Sequence, residues 1–539
     1  MSISDSSFSS GPRVVALVLG LLASARAQDA VLGGALSSPY PTLQHLAVEW
    51  EVQGDANHNA SASMRFRPEG AANWVQGRAL RAIPSGRSRK ALAPFSWSQR
   101  FSGSLMDLKP GQAYEIEVSL SDPDGGSVTK TLRQSTRPEP VAAADAKARR
   151  GGRELLNAAK PGDLILLEDG DYGAVSLNRD GEPGRPIVYR AVGSQARFAE
   201  IGMTGRKWVH LEGLQVNGPI RLNQTQHCVV RRCRIRSSFG IKAYKPGMEN
   251  ALIEDNDIEG IRPWKPEIMG ANGDNEGEGI QFTGSGNVVR HNRVRGFRDC
   301  ISHLEDDSAA LQACNDIHHN DISAGLDDGI EADFAAHNCR VHHNRITNCF
   351  VGISSQPGLG GPNYFYRNVL FNVIHEAFKI SRESQGDVIE HNTVIKSGDG
   401  FGIYTSEAFD GALITHNLFV ACKPIEGAKY NGYGPGRGRA VDVQNFGPNC
   451  RIDHNAYAVI GMPFEGKIGS WTFNSLPAKA HRANPRLHEA HGRILEWPVA
   501  LKLPLPLEPA QFYTPPDLSA LNQAGAYSGE GPPHYGPRP

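Results

Sequence analysis

The segments Ile317-His-His-Asn320-Asp-Ile322 and Val341-His-His-Asn344-Arg-Ile346 share one pattern: an asparagine with an apolar residue three positions before it and another two positions after it. The same pattern recurs at Asn256, Asn292, Asn320, Asn344, Asn368, Asn392, Asn417 and Asn455. From Asn320 to Asn417, successive asparagines are 24, 24, 24 and 25 residues apart. A fixed period of this length, built from short β-type runs, predicts a right-handed parallel β-helix whose coils stack about 4.8 Å apart.

The repeated asparagines have a structural explanation. Stacked at one corner of the coil, their side chains would hydrogen-bond along the ladder and satisfy buried turn amides. Six of them directly follow a histidine, at His291, His319, His343, His391, His416 and His454. Because these histidines recur with the repeat, we predict that they are exposed ladder residues and not catalytic groups.

The chain is predicted to be all-β with two folded units. Residues 38–137 contain alternating apolar runs separated by Gly, Pro, Asp and Asn turns, which favours a β-sandwich. Around Tyr114 the sequence resembles the tyrosine corner of fibronectin type III domains. We place a linker at residues 138–152, the β-helix at 153–502 and a Pro-rich tail at 503–539.

The first 27 residues have the features of a signal peptide. Arg13 precedes an apolar run, and Ala25-Arg-Ala27 provides the small residues at which cleavage occurs. The apolar run is too short to span a bilayer, and no later segment is apolar enough to do so. We therefore expect a secreted or periplasmic protein without a membrane span.

The composition of the 539 residues excludes several classes of protein. Lys and Arg number 56 against 57 Asp and Glu, so the net charge is −1 and no bulk positive field would attract nucleic acid. Eight cysteines are too few for a disulfide scaffold, although Cys314 and Cys339 lie about one repeat apart and could bridge. We expect a monomer with no nucleic-acid partner.

The opening of the β-helix resembles a known enzyme family. Leu155-Leu-Asn-Ala-Ala-Lys-Pro161-Gly162-Asp163 and Gly181-Glu-Pro-Gly184-Arg-Pro186-Ile187 are similar to the start of the chondroitinase B and alginate lyase family of polysaccharide lyases. The resemblance implies an anionic polysaccharide substrate. It also implies a catalytic Lys and Arg beside a calcium ion held by acidic residues.

A second register between the asparagine corners predicts where a substrate would lie. In each coil an apolar residue points inward and its successor outward, by strand alternation. The predicted outward row is Lys242, Gln281, Ser302, Glu331, Ser354, Lys379, Tyr404 and Asp442. Such diversity is typical of a substrate groove, whereas a merely solvated face would be more uniform.

The row supplies groups for β-elimination of a uronate. We predict Lys379 as the base on condition that nearby cations lower its pKa, and Tyr404 as the group that returns the proton. Ca²⁺ or Arg382 would neutralise the sugar carboxylate, with Glu331 completing the catalytic set. Three positions apart on one strand, Lys379 and Arg382 would face opposite sides unless a bulge intervenes.

The densest acidic cluster predicts a metal site. Its members are Asp327, Asp328, Glu331 and Asp333, and together they offer the oxygen ligands that Ca²⁺ requires. The alternative is a solvated acidic turn.

Candidate substrate-binding residues surround this cluster, partly on insertions that would form the walls of the groove. They are Gln281, His303, Gln356, Tyr430, Tyr433, Arg437 and Arg439. Aromatic side chains can pack against sugar rings, and an unpaired basic loop suits anionic chains.

Two other functions remain open from the sequence. Asp327, Asp328, Glu331 and Asp442 could include the acid and base of an inverting glycoside hydrolase, and a C5-epimerase could use the same groove. A non-catalytic polysaccharide-binding protein could also be built on these two scaffolds.

Overall fold

The computed structural model describes residues 29–89, 95–274, 276–305, 312–476, 488–496 and 536–538. The predicted signal peptide and residues 503–535 of the predicted tail lie outside these ranges. The described chain is all-β, and its named helical segments are the 3-10 turns Arg153–Leu155 and Pro266–Ile268. None of its helices has the length and apolarity needed to cross a membrane.

The N-terminal unit is a β-sandwich of two antiparallel four-stranded sheets. One sheet has the order Leu32–Ser37, Leu46–Gln53, Arg100–Leu105, Arg81–Ile83. The other has the order Val128–Ser135, Ala113–Ser121, Ser61–Pro68, Val75–Gln76. A two-stranded ribbon, Gly86–Ser88 with Phe95–Trp97, lies beside them.

Inward-facing residues of both sheets form the sandwich core around the fully buried Trp50. The Tyr114 hydroxyl accepts a hydrogen bond from the Lys109 backbone N–H at 2.9 Å, which is the contact that the tyrosine-corner pattern predicts. Membership of the fibronectin type III family stays a prediction.

The remainder is a parallel β-helix of three long sheets, which we call the first, second and third sheets. The first consists of Lys147–Gly151, Asp163–Leu167, Ile187–Ala191, Val209–Glu212, Val229–Arg231, Leu252–Glu254, Val288–Arg290, Asp316–His318, Arg340–His342, Leu359–Tyr366, Gln385–Glu390, Leu413–Thr415 and Arg451–Asp453. The second consists of Gly170–Asp171, Ala196–Phe198, Gln215–Val216, Arg234–Arg236, Asp257–Glu259, Arg293–Arg295, Asp321–Ser323, Arg345–Thr347, Val369–Phe371, Thr393–Ser397, Leu418–Cys422, Ala456–Ile460 and Arg493–Ile494.

The third sheet consists of Ala174–Ser176, Glu200–Gly202, Ile220–Arg221, Ile241–Lys242, Glu278–Phe282, Asp299–His303, Asp328–Glu331, Val351–Ser355 and Phe378–Ile380. A separate four-stranded sheet follows it, with Phe401–Ile403, Val441–Val443, Gly466–Ile468 and Trp471–Phe473. One continuous apolar cluster fills the interior of the coils from Leu156 to Phe473.

Two sequence predictions need correction. The first sheet already begins at Lys147–Gly151, within the segment predicted as a linker, because this strand pairs in parallel with Asp163–Leu167. The eight cysteines are buried free thiols, so the bridge considered between Cys314 and Cys339 is not formed.

The repeated asparagines occupy the corner between the first and second sheets. From Asn292 onward, each Oδ1 accepts both the backbone N–H and the side-chain amide of the preceding asparagine; for Asn344, these donors belong to Asn320, and both distances are 3.0 Å. The Asn344 amide also donates to the Ile317 carbonyl oxygen at 2.9 Å. All eight side chains are buried, and Glu489 accepts the final bonds from Asn455. The structural interpretation of the asparagines is confirmed.

The residue before each of these asparagines has a left-handed backbone conformation, with φ between 52° and 61°. Histidine takes this position in six coils and is half-buried or exposed there. Neighbouring rings stack along the corner, as His319 and His343 do at 4.9 Å. The ladder role predicted for these histidines agrees with this arrangement.

A buried ion-pair network joins the sandwich to the first sheet. Asp316 contacts His45 Nδ1 at 2.9 Å and the fully buried Arg340. Arg340 also donates to Ser104 Oγ of the sandwich at 3.1 Å. The network satisfies each charge that it buries, as a buried ionic group requires.

The ladder predicts a stability effect. Asn344→Ala should destabilise the protein by about 3 kcal/mol, since it leaves several buried donors and acceptors without partners. Urea unfolding followed by circular dichroism would measure it, with the exposed Asn157→Ala as the matched control. A change no larger than that of the control, within about 0.5 kcal/mol, would contradict a structural role for the ladder.

Candidate active site

The outward row of the third sheet is observed from Lys242 to Lys379. Parallel register pairs Gln281 with Ser302, Ser302 with Glu331, Glu331 with Ser354, and Ser354 with Lys379. Strand alternation keeps these side chains on the outer face while the isoleucines between them fill the core.

A cavity of about 290 Å³ opens on this face of the third sheet. The residues predicted from the sequence that line it are Asp327, Glu331, Gln356, Lys379, Arg382, Tyr404 and Tyr433. Ala271, from the insertion before Glu278, and Phe350 complete one wall. The four predicted catalytic residues therefore converge on one cavity.

Lys379 does not have the electrostatics predicted for a base. Its Nζ lies 2.6 Å from Asp328 Oδ2, and its side chain is only 17% exposed. Burial alone would lower the Lys379 pKa, but the carboxylates of Asp328 and its acidic neighbours outweigh burial and raise that pKa well above 10.5. The predicted lowering is wrong, and Lys379 is held as an ammonium ion.

Tyr404 lines the cavity from a different position than the sequence predicts. It follows the strand Phe401–Ile403, in which Gly402, not Tyr404, pairs with Asp442. Its hydroxyl donates to Asp399 Oδ2, while its backbone N–H donates to Glu376 Oε1 at 2.7 Å. Burial and Asp399 raise the Tyr404 pKa well above 10, so the proton is firmly held by this pair.

Arg382 shares the cavity with Lys379 because their strand ends at Ile380. Arg382 then has a left-handed backbone, with φ 53°, which replaces the bulge that the sequence would have required. Its side chain is 45% exposed, and its Nη1 lies 3.5 Å from Glu305 Oε1. Among the lining cations, Arg382 has the weakest ion pair.

The predicted calcium ligands divide into two trios. Asp327 and Asp328 lie with Asp299, whereas Glu331 and Asp333 lie with Glu305, and within each trio the oxygens are within 4.8 Å of one another. Asp328 Oδ1 and Asp333 Oδ2 are buried and accept no hydrogen bond from any described residue. Two oxygens without donors fit either a bound cation or a bound proton.

Burial and mutual repulsion decide the protonation of these acids. Burial raises the Asp328 pKa to about 7, although Lys379 opposes the shift. Burial followed by repulsion from Asp299 and other acids raises the Glu331 pKa well above 4.5. The cluster therefore retains protons at neutral pH unless a cation displaces them.

The predicted site lacked several of the lining residues, and three of these bear directly on the chemistry. Arg298 Nη2 lies 3.1 Å from Asp327, and its Nη1 lies 3.0 Å from Asp299, so one guanidinium holds both carboxylates. His375 and Glu376 are the other two. For His375 and Glu376, the sequence signal was their position between the apolar residues Ile374 and Phe378, just before Lys379.

Hydrogen bonding fixes the tautomer of His375. Its Nδ1 lies 2.7 Å from the Gly434 carbonyl oxygen, which can only accept, so Nδ1 carries the proton and Nε2 has the lone pair. Burial lowers the His375 pKa to about 4, which keeps the ring neutral. Its Nε2 lies 3.9 Å from Glu376 Oε2, and burial raises the Glu376 pKa to about 7.

Two residues of the third sheet are not where a substrate would contact them. His303 pairs with Phe282 on the inward side of the row, is buried, and packs edge-to-face on that ring at 4.9 Å. Its prediction as a substrate-binding residue is wrong, because alternation directs it inward behind Ser302. Gln281 faces outward but lies two strands before Glu331 and does not line the cavity.

The glycine-rich loop also differs from its prediction. Arg439 is not unpaired, since it binds Asp442 at 2.6 Å and also Glu465. Arg437 is exposed away from the cavity lining, and its backbone N–H donates to Asp399. Tyr430 packs in the apolar cluster of Trp264 and Met269, so among the loop residues predicted to bind substrate only Tyr433 lines the cavity.

Comparison with known proteins supports the fold. Residues 218–419 match the family described as "Right handed beta helix region". Comparison with curated proteins gives no match. A solved structure of a family 28 exopolygalacturonase from Yersinia enterocolitica is similar with 10% identity and a TM-score of 0.30, over 81% of this chain and 98% of that chain.

The raised Glu376 pKa predicts a pH-dependent stability. The folded state keeps this proton up to about pH 7, whereas an unfolded glutamate releases it near pH 4.5, so stability should fall between these values. Glu376→Gln retains an acceptor for the Tyr404 N–H without titrating. Urea midpoints at pH 5 and pH 8 should therefore differ less in this variant than in wild type.

The exposed Glu496→Gln serves as the control, and it should keep the wild-type difference between the two midpoints. If Glu376→Gln also keeps that difference, Glu376 does not hold a proton at pH 5 in the folded protein.

Proposed function

We propose that the protein is a carbohydrate-active enzyme that cleaves a uronate-containing polysaccharide by β-elimination. The observation that carries this proposal is the convergence of Arg382, Lys379, His375 and Glu376 in one cavity on the outer face of the β-helix. The reaction needs a cation that binds the sugar carboxylate, a base and an acid. The cavity offers arginine and lysine cations, an unprotonated ring nitrogen and a carboxyl that titrates near neutrality.

Arg382 is the residue to receive the sugar carboxylate. Lys379 is held by Asp328 at 2.6 Å and Arg298 by two acids, whereas Arg382 has only the 3.5 Å contact with Glu305 among the described residues. A guanidinium can bind a carboxylate with two parallel hydrogen bonds, which also orients the sugar ring. Tyr433 and Phe350 provide aromatic surface beside it.

His375 replaces Lys379 as the base. Its Nε2 lone pair takes the proton from the carbon next to the carboxylate, and the electron pair forms the carbon–carbon double bond as the glycosidic C–O bond breaks. Glu376, protonated below about pH 7, gives its proton to the leaving oxygen. The 3.9 Å between His375 Nε2 and Glu376 Oε2 then lets one bridging water or a small rotation return the proton.

Calcium is part of the same proposal. The two trios and the unpartnered oxygens of Asp328 and Asp333 fit a hard cation that prefers oxygen ligands. Asp299, Asp327 and Asp328 would hold it, and Arg298 would keep two of these side chains in place. A bound Ca²⁺ would withdraw charge from the uronate carboxylate and acidify the neighbouring C–H.

Hydrolysis is the second candidate, because Glu331 lines the cavity and burial raises its pKa, as a general acid requires. Carboxyls within a trio are too close for an inverting pair, which stands about 6.5–9.5 Å apart. Such a pair would take one member from each trio, Asp327 and Glu331. Asp442 drops out, since it pairs with Arg439 outside the cavity lining.

A substrate screen tests the reaction. Polygalacturonate, alginate, chondroitin and glucuronan would be assayed for ultraviolet absorbance of unsaturated uronate and for reducing ends. We expect absorbance and reducing ends to rise together. His375→Gln should lower kcat by about 100-fold or more, the usual contribution of a general base.

His391→Gln, on the ladder corner, is the matched control and should retain wild-type rates. Reducing ends without absorbance would replace elimination by hydrolysis. If no product forms from any of these polymers while one still binds, the protein is a binding module and the enzymatic proposal fails.

The calcium proposal has its own test. Because the ligands must be deprotonated, Ca²⁺ should raise the melting temperature more at pH 8 than at pH 5. Asp328→Asn should abolish most of this shift, and Asp453→Asn, in a carboxylate–histidine cluster elsewhere, should not. An equal shift in wild type and Asp328→Asn would remove Asp328 from the site.

A further inference from the structure

Two pairs of adjacent histidines lie at the corner between the first and second sheets, outside the cavity lining. His318 Nδ1 and His319 Nδ1 are 2.7 Å apart, and His342 Nδ1 and His343 Nδ1 are 2.8 Å apart. The pairs stack on each other, with ring centroids 4.7 Å apart for His318 and His342. The corner thus brings four imidazoles together.

The repeat does not require the first histidine of each pair, His318 or His342. The ladder needs a left-handed residue before the asparagine, which His319 and His343 provide. The preceding position holds Glu254, Arg290, Tyr366, Glu390, Thr415 and Asp453 in the other coils that carry the asparagine pattern. His318 and His342 are therefore additions to the corner that ladder formation leaves unexplained.

The geometry of each pair is that of two neighbouring metal ligands. Nitrogens bound at about 2.0 Å to one ion at right angles are about 2.8 Å apart. The two rings of each pair are nearly perpendicular, at 80°, so the two nitrogens meet from different ring planes, as two imidazoles on one ion do. A hydrogen bond between the two nitrogens gives the same separation, and a shift of the bridging proton to Nε2 of its own ring would leave a lone pair on both Nδ1 atoms while both rings stay neutral.

A third nitrogen is available. His318, His319 and His342 each offer a ring nitrogen within 4.8 Å of the others. The parallel rings of His318 and His342 keep their lone pairs in parallel planes, so a shared ion requires His342 to rotate. Its Nε2 is buried without a hydrogen-bond partner among the described residues, so no hydrogen bond at that nitrogen opposes a rotation within the stack of His318, His342 and Tyr366.

The charge state of the corner suits a metal. Burial, followed by repulsion from neighbouring histidines and Arg290, lowers the pKa of His318 well below 6.5, and burial does the same to His342. Neutral imidazole is the form that binds metals. Arg290, which pairs with His318 on the neighbouring strand, is neutralised by Glu254 and Glu139, both at 2.7 Å.

We propose that His318, His319 and His342 bind one transition-metal ion of the nitrogen-preferring class, Cu²⁺, Ni²⁺ or Zn²⁺. Imidazole-only ligand sets select these ions over the oxygen-preferring Ca²⁺ and Mg²⁺. His319 is half-buried at the surface of the corner and provides the route of entry. The site is separate from the carboxylate cavity, so its occupancy does not depend on the enzymatic proposal.

Titration of the metal-free full-length protein with CuCl₂ tests the site. Calorimetry should give a single tight equivalent, and the electron paramagnetic resonance spectrum should show coupling to several imidazole nitrogens. His319→Gln should weaken binding by about tenfold or more, since loss of even an outer partner of a ligand has that effect. Its unfolding midpoint without metal should stay close to that of wild type, because His319 is only half-buried.

His416→Gln is the matched control. It occupies the same ladder position and stacks between His391 and His454, but its Nδ1 pairs with Thr415 instead of a second histidine. Cu²⁺ binding should be unchanged in this variant. Unchanged Cu²⁺ affinity in His319→Gln would overturn the proposal. Loss of Cu²⁺ binding in His491→Gln would also overturn it, because the ion would then belong to the cluster of Asp453, His454 and His491.

Discussion

The hydrogen bond from one asparagine corner to the next is the constraint on which the remaining structure depends. Each buried asparagine amide holds the coil before it and the coil after it, as Asn344 does with Asn320 and Asn368. A shift of one coil by one residue would leave every bond at that corner unmade inside a buried turn, where each orphaned group costs about 1–3 kcal/mol. The corner therefore fixes the register of all three sheets, including the row that carries Glu331 and Lys379.

The same register explains how so many acids can lie on one sheet of a protein whose net charge is −1. Parallel strands bring equivalent positions of successive coils together, so Asp299 and Asp328 become neighbours although 29 residues separate them in the chain. Arg298 and Lys379 neutralise part of this charge, and raised pKa values for Asp328 and Glu331 remove more of it by retaining protons. Side-chain cations, protons and a bound calcium ion would thus compete for the same carboxylate oxygens.

The fold was predictable because its sequence pattern is local and repeated eight times. The site depends instead on individual contacts and register changes that each occur once. Strand alternation placed Lys242 to Lys379 correctly on one face, and the same rule, applied to His303, directs it into the core. The position of Tyr404 was not predictable, since the strand after the third sheet pairs two residues out of the predicted register and the glycine-rich loop folds onto Asp399. The Lys379 pKa depends on which acid it contacts, and the contact with Asp328 crosses two coils that no periodicity specifies.

The asparagine ladder also has a direction. Every backbone N–H in it points to the oxygen of the following coil, so the amides polarise one another along the helix axis and leave surplus donors at the C-terminal end. Glu489 ends the series as a capping side chain ends the free N–H donors of an α-helix, by accepting from the backbone and side chain of Asn455. The β-helix is therefore a polar filament with one chemically distinct terminus, and a further coil could be added there only if it replaced this carboxylate with another asparagine.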